Sequence, residues 1–119
     1  HLIFLLAPTS TASRRAYVAK EAGGFVYYVS ITGITGAKLQ DVAGVRENVA
    51  KIRKYTKTPV AVGFGVATPE DAARVAQVAD GVIVGSAIVR RVGEHGQDGR
   101  LVQEVGAFVR SLKEAMQPA

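Results

Sequence analysis

The sequence predicts an α/β protein in which parallel strands alternate with helices. Four times along the 119 residues, an apolar run is followed by a polar or glycine-rich turn and then by a stretch with helical periodicity. The runs are apolar at consecutive positions, which is typical of parallel strands covered on both faces. Four such units fit two architectures, an open flavodoxin-like sheet or half of a (β/α)8 barrel, and the pattern alone does not choose between them.

The first two units reach from the N-terminus to the middle of the chain. Unit one has the strand Leu2–Leu6 and a helix over Thr11–Glu21, with a Thr N-cap at its start and two glycines after its end. Unit two has the strand Phe25–Val29, a long turn over Ser30–Gln40 and a helix over Asp41–Tyr55. One face of that helix carries the apolar side chains Val42, Val45, Val49 and Ile52.

The third and fourth units complete the pattern. Unit three has the strand Val60–Phe64 and a short helix over Thr68–Ala79, with proline at its first position and two acids near its positive end. Unit four has the strand Val82–Val84, a glycine-rich stretch through Gly99 and a last helix. The apolar stripe of this last helix consists of Leu101, Val105, Phe108 and Leu112.

Composition indicates a single folded domain over residues 1–119. The apolar fraction is 48%, and the four prolines are too few for a disordered chain. The absence of cysteine excludes disulfides and thiol chemistry and is typical of the reducing cytoplasm. The six apolar residues that open the chain are too few to cross a bilayer, and they lack the charged start of a secretory signal. Because the chain starts in a core strand, we expect it to be part of a longer protein.

The net charge of +5 raises the question of a polyanionic partner. The basic residues are spread over helical positions and are not interleaved with aromatic side chains. No nucleic-acid-binding motif is present, so these charges are interpreted as solvated helix faces. We therefore expect neither nucleic acid nor membrane as a partner.

Three glycine clusters each follow a predicted strand and indicate a binding site. They are Gly33-Ile34-Thr35-Gly36, Gly63-Phe64-Gly65 and Gly85-Ser86. Glycine lets backbone N–H groups approach a ligand closely, and the carboxyl ends of parallel strands meet at one edge, so the N–H groups would converge on a phosphate or another oxyanion. No Asp, Glu, His or Cys follows these strands directly. The edge therefore suits phosphate binding better than acid–base catalysis, and no metal site is expected.

The same motifs resemble one enzyme family. In order and spacing, Tyr27-Tyr28-Val29-Ser30, Gly33–Gly36, Gly63–Gly65 and Gly85–Val89 are similar to the C-terminal half of the tryptophan synthase alpha subunit, its strands five to eight. The resemblance implies the half-barrel rather than the flavodoxin-like sheet. It also implies a lyase that cleaves indole-3-glycerol phosphate to indole and glyceraldehyde 3-phosphate and passes indole to a beta subunit. In this family the beta subunit uses pyridoxal phosphate, and the alpha subunit needs no cofactor.

The resemblance also assigns roles to individual residues. It implies that the substrate phosphate contacts the backbone N–H groups of Gly36, Gly65, Gly85 and Ser86, with the Ser86 hydroxyl as a further donor. It implies a supporting catalytic position for Tyr27. It places the substrate pocket at Thr35, Gly63, Phe64 and Ile83.

The family's catalytic Glu and Asp belong to its N-terminal half, which this sequence does not match. The ten carboxylates present here fall on predicted helices or in the loops that lead into helices, and Asp80 precedes its strand. The resemblance therefore implies a chain that is inactive alone and that self-associates through its open sheet. Two alternatives stay open at this point, a stand-alone α/β phosphate-binding or scaffold protein and a basic nucleic-acid binder.

Overall fold

The computed structural model describes residues 1–30, 42–63 and 65–117. Within these residues, four parallel strands form one sheet in the order β1-β2-β3-β4. The strands are β1 (Leu5–Leu6), β2 (Val26–Val29), β3 (Val60–Gly63) and β4 (Gly81–Ile83). The helices are α1 (Ala12–Glu21), α2 (Val42–Arg53), α3 (Pro69–Ala76), α4 (Ser86–His95) and α5 (Leu101–Met116).

The strand order decides between the two architectures. Each strand pairs with the next one along the chain, as in a (β/α)8 barrel, whereas a flavodoxin-like sheet exchanges the places of its first two strands. The four units are thus a (βα)4 half of a barrel, and the flavodoxin-like alternative is wrong.

The two faces of the sheet differ because side chains alternate along each strand. Val26 and Tyr28 of β2 are 0% and 1% exposed and belong to the core formed with the helices. Tyr27 lies between them and points to the opposite face, which we call the inner face. In register with Tyr27, this face carries Leu5, Ala61 and Gly81. Leu5 is 60% exposed, so the described residues leave part of the inner face in contact with solvent.

The helices cover the other face through the apolar stripes that the sequence predicted. Val45, Val49 and Ile52 of α2 are buried, and Val42 packs at the margin of the same core. In α5 the buried positions are Phe108 and Leu112. The buried core consists of Leu6, Val18, Val26, Tyr28, Val45, Val49, Ile52, Val60, Val62, Val66, Ala72, Val75, Val78, Ala87, Phe108 and Leu112.

Two predicted helix starts are confirmed in detail. The Thr11 hydroxyl accepts the Arg14 N–H at 3.2 Å and caps α1. At α3, the Thr68 hydroxyl accepts the Asp71 N–H at 3.1 Å, and the Asp71 carboxylate accepts the Thr68 N–H at 3.3 Å. This reciprocal pair is a capping box, and it holds the first turn of α3 just beyond the end of β3.

The structure corrects two predictions about element bounds. Strand β1 is only two residues long rather than Leu2–Leu6. The stretch predicted as glycine-rich loop contains the ten-residue helix α4. Gly93 lowers the helix propensity of α4, but packing overrides propensity here: Ala87 is buried, and the Arg91 guanidinium lies 3.4 Å from the centroid of the Phe108 ring.

Asp80 stabilises the amino-terminal end of the sheet. Its carboxylate accepts the Val60 backbone N–H at 2.9 Å and pairs with Arg53 at 3.0 Å. The hydrogen bond from Val60 lowers the pKa of Asp80, burial opposes this, and the Arg53 guanidinium lowers it further. Asp80 thus joins α2, β3 and β4 at the end of the sheet opposite the glycine clusters.

No helix among the described residues is long and apolar enough to cross a membrane.

Candidate functional site

The glycine clusters that the structure describes lie at the carboxyl-terminal edge of the sheet. Gly63 ends β3, and its partners in register are Val29 of β2 and Ile83 of β4. Gly65 and Gly85 follow β3 and β4 by two residues each. Three predicted site residues, Thr35, Gly36 and Phe64, lie outside the described residues.

The start of α4 is the strongest anion-binding feature of this edge. Gly85 is the N-cap residue, and no side chain donates or accepts a capping hydrogen bond. The Gly85 carbonyl accepts the N–H groups of Ile88 and Val89, so the N–H groups before them have no acceptor within the helix. Ser86 is exposed at the first position of the helix. Unpaired N–H groups and the positive end of the helix dipole together favour an anion here.

Two glycines at this edge differ in whether the fold requires them. Gly65 has a φ of +86°, a left-handed conformation that side chains disfavour. Gly85 needs no such conformation, and a Cβ added there would meet nothing within 4 Å. The described residues therefore place no steric demand on Gly85, and the space that they leave beside it lies at the uncapped start of α4.

Tyr27 covers Gly63 on the inner face. A Cβ at Gly63 would lie 2.7 Å from the Tyr27 hydroxyl and 3.0 Å from two of its ring carbons. Tyr27 pairs in register with Ala61, two residues before Gly63, so its ring leans along the sheet toward the carboxyl edge. The phenol group is thus directed toward the edge where the glycine clusters lie.

Ser30 lies next to the candidate site and was not among the site residues predicted from the sequence. It follows β2 directly, and both its backbone N–H and its hydroxyl donate to the Gly63 carbonyl, at 3.1 Å and 2.8 Å. This hydroxyl links the end of β2 to the turn after β3. A serine placed directly after a strand, next to a neighbouring strand that ends in glycine, was the available signal.

The Asp71 carboxylate, in the first turn of α3, is engaged in structural contacts. Asp71 accepts the backbone N–H groups of Ala67 and Thr68 through one oxygen and pairs with Arg74 through the other. Burial raises the pKa of Asp71, but the hydrogen bonds from Ala67, Arg74 and Thr68 outweigh it and hold this pKa below its usual value. An anion committed to a helix cap is a poor general base.

His95, near this region, also takes part in a contact between side chains. His95 is the last residue of α4, and its Nδ1 lies 2.8 Å from the Asp98 carboxylate. This hydrogen bond, together with one from the Arg100 N–H, lowers the pKa of Asp98. In the described ranges, no group of three metal-ligating side chains is close enough to hold a metal ion.

Comparison with known proteins identifies the family. The family model described as tryptophan synthase alpha chain matches residues 1–117. The chain belongs to the tryptophan synthase alpha chain family. The alpha chain of Geobacter sulfurreducens is 53% identical over 115 residues, which are 97% of this chain and 43% of that protein. The alpha chain of Halorhodospira halophila is 50% identical over 115 residues, 97% of this chain and 42% of that protein.

Solved structures of this family have the same fold. The tryptophan synthase alpha subunit of Legionella pneumophila superposes with a TM-score of 0.80 at 35% identity, covering 96% of this chain and 41% of that one. A tryptophan synthase structure from Mycobacterium tuberculosis gives a TM-score of 0.82 at 38% identity, covering 98% and 42%. The chain therefore spans less than half the length of the alpha chains that it matches.

Proposed function

We propose that this chain is the phosphate-binding half of an alpha chain that cleaves indole-3-glycerol phosphate to indole and glyceraldehyde 3-phosphate in tryptophan biosynthesis. The observation that carries the proposal is the uncapped start of α4 beside the open space at Gly85, at the carboxyl edge of the sheet. Backbone N–H groups of Gly65, Gly85 and Ser86, together with the Ser86 hydroxyl, would hold the phosphate; Gly36 would add another. Backbone donors suit a phosphate because their geometry is fixed before the ligand arrives.

The inner face next to this edge would receive the rest of the substrate. Tyr27 and Ile83 would border the pocket, and the absence of a side chain at Gly63 gives the Tyr27 ring its place there. Thr35 and Phe64 complete the proposed pocket. Tyr27 would support catalysis by orienting the substrate, since the cleavage itself needs a base for the glycerol hydroxyl and an acid for the indole carbon.

The 119-residue chain alone would be inactive in this proposal. Asp71 is committed to the α3 cap, and Asp80 lies at the opposite end of the sheet. General acid–base groups contribute roughly 10²–10⁴-fold each, so binding without them would leave turnover undetectable. An indole-release assay on the pure chain is the test, and turnover comparable to that of a full-length alpha chain would refute this part of the proposal.

The phosphate site itself is tested by titration. Inorganic phosphate and glycerol 3-phosphate are added to the 15N-labelled chain, and the amide shifts of Gly65, Gly85 and Ser86 are followed. Ser86→Ala should weaken binding roughly tenfold, because a hydrogen bond to a charged ligand is lost. Ser13→Ala, an exposed serine in the first turn of α1, is the matched control and should leave binding unchanged. Unmoved site amides in the wild-type chain at tens of millimolar phosphate would contradict the site.

The family membership extends the proposal to partners and location. The intact alpha chain would work in the cytoplasm with a tryptophan synthase beta subunit that carries pyridoxal phosphate, and it would need no cofactor of its own. The 119-residue chain by itself would self-associate, since Leu5 on the inner face is 60% exposed and β1 and β4 each have one described neighbour. Sedimentation at micromolar concentration tests this, and a folded, strictly monomeric 12.5 kDa species would refute it.

A further inference from the structure

The Gly63 carbonyl at the end of β3 has two donors from one residue. It accepts the Ser30 backbone N–H at 3.1 Å, as a continuation of the strand pairing, and the Ser30 hydroxyl at 2.8 Å. In a parallel sheet, one backbone N–H donor is enough to satisfy a backbone carbonyl. The hydroxyl is a second donor to the same carbonyl, and this second bond restrains the direction in which the carbonyl points.

The Gly63 carbonyl lies where β3 ends, two residues before Gly65. Gly63 and Gly65, on either side of Phe64, have no side chain to limit their backbone angles, so these two positions are intrinsically free to take several conformations. The observed one needs a φ of +86° at Gly65. Because the peptide bond is planar, a carbonyl held in one direction fixes the peptide plane from which the turn departs.

An anion site built from backbone N–H groups depends on such restraints. If the turn becomes ordered only when the anion binds, the free energy of ordering it lowers the affinity. A turn that is already ordered does not have this cost. Gly63 and Gly65 have no side chain that could restrain the backbone of the turn.

We propose that Ser30 is a positioning residue for the phosphate site. Its hydroxyl holds the Gly63 carbonyl, and the planar peptide transmits this restraint to the turn that presents the Gly65 backbone to the anion. Ser30 makes no contact with the phosphate in this arrangement. The inference rests on the proposed phosphate site and adds to it a residue on which its affinity depends.

The test compares the affinity of three serine variants of the 119-residue chain for inorganic phosphate, measured by the amide shift of Gly65. Ser30→Ala keeps the backbone N–H bond to Gly63 and removes only the hydroxyl. We expect its affinity for phosphate to fall roughly fivefold, the effect of one ordinary hydrogen bond, with little change in melting temperature. Ser30→Thr keeps a hydroxyl and should restore wild-type affinity.

Ser111→Ala is the matched control. The Ser111 hydroxyl also donates to a backbone carbonyl, that of Phe108 at 2.6 Å, but it lies within α5. Loss of the Ser111 hydroxyl should leave the affinity for phosphate unchanged, even if it lowers the stability of the fold. The control therefore separates a positioning role of Ser30 from a general effect on stability. Should Ser30→Ala fail to fold, Ser30→Cys, with a weaker donor of similar size, replaces it.

The outcomes separate this inference from the proposal on which it rests. Wild-type affinity in folded Ser30→Ala, while the wild-type chain binds phosphate, overturns the role of Ser30 alone. An equal loss in Ser30→Ala and Ser111→Ala also overturns it, because the effect would then be one of stability. No binding by the wild-type chain overturns the phosphate site and, with it, the role of Ser30.

Discussion

The Tyr27 ring occupies the space in which a side chain at Gly63 would lie. The Tyr27 hydroxyl is 2.7 Å from the position of a Cβ at Gly63, closer than real Cβ atoms approach their neighbours. The two residues are on adjacent strands and face the same side of the sheet. The Tyr27 ring can therefore lie where it does only because residue 63 has no side chain, and a side chain at position 63 would displace the ring.

We expect Gly63→Ala to destabilise the fold by about 1–3 kcal/mol, the usual cost of overpacking, because the Tyr27 ring must move. Combined with Tyr27→Ala, the same substitution should cost much less, so the two effects are not additive. Urea unfolding of both single variants and the double variant measures the coupling.

Gly81→Ala is the control for this cycle. Gly81 also lies on the inner face, but a Cβ there would meet the Ala61 Cβ at 3.5 Å, an ordinary contact. It should show no coupling to Tyr27→Ala. Additive effects of Gly63→Ala and Tyr27→Ala would contradict the contact.

Replacing Gly65 or Gly85 by alanine should affect different properties of the chain. Gly65→Ala should lower the free energy of unfolding by about 1–2 kcal/mol, because alanine is strained at a φ of +86°. Gly85→Ala should change it by less than about 0.5 kcal/mol, since its Cβ would meet no atom of the described residues within 4 Å, yet it should weaken phosphate binding. Thermal unfolding and phosphate titration are measured on both variants. Unchanged phosphate affinity in Gly85→Ala would show that the open space is not the ligand's.

Acid should destabilise the chain partly through Asp80. Its pKa is lowered in the folded state, chiefly by the Val60 N–H, so the stability it contributes is present above the unfolded pKa near 4 and is lost as the pH falls through the folded pKa. Asp80→Asn should therefore make the free energy of unfolding less dependent on pH below about 5. Asp71 and Asp98, with pKa values lowered in the same sense, leave some of the dependence in place.

The measurement for Asp80 is the urea midpoint between pH 3 and pH 7. Glu114→Gln is the control, because this exposed carboxylate takes part in none of the ion pairs of the described residues. A pH profile of Asp80→Asn that coincides with that of the wild type would rule out the contribution of Asp80.

Arg91 should fix α4 to α5. Its guanidinium lies 3.4 Å from the Phe108 ring centroid and also donates to the Ala87 carbonyl at 3.1 Å. Arg91→Met keeps the apolar stem but should cost about 1 kcal/mol of stability through the lost cation–π contact. Arg90→Met, at an exposed neighbouring position, should cost little. Equal losses in the two variants, measured by thermal unfolding, would argue against the contact.

The sequence predicted the units and helix faces well because hydrophobic periodicity and capping residues are local signals. The start of α3 at Thr68 and the α2 stripe of Val45, Val49 and Ile52 are confirmed as predicted. The choice between the two architectures needed the strand order, which depends on pairing between distant residues and leaves no mark in any one segment. The helix α4 was missed for a related reason, since its stability comes from Phe108 on another helix.

The candidate site was predicted less completely. Glycine clusters indicated the edge of the sheet, and the positive φ of Gly65 and the free space at Gly85 agree with the use of glycine there. Phosphate binding by Gly36, Gly65, Gly85 and Ser86 stays a prediction, as do the pocket roles of Thr35, Gly63, Phe64 and Ile83 and the supporting role of Tyr27. The Ser30 hydroxyl was not assigned from the sequence, because its acceptor is 33 positions away and the local signal, a serine directly after a strand, does not identify that acceptor.

The order of the strands also determines where the fold opens. In the described sheet, β2 and β3 have neighbours on both sides, while β1 and β4 have one each. Backbone amides of the two central strands should therefore exchange with solvent only in rare, large openings, and those of the outer strands in frequent, small ones. The start of α4 follows β4, so the edge at which we propose phosphate binding extends from the most protected part of the sheet to one of its least protected. A ligand held across that edge would slow the opening of the outer strand and extend the protected region by one βα unit.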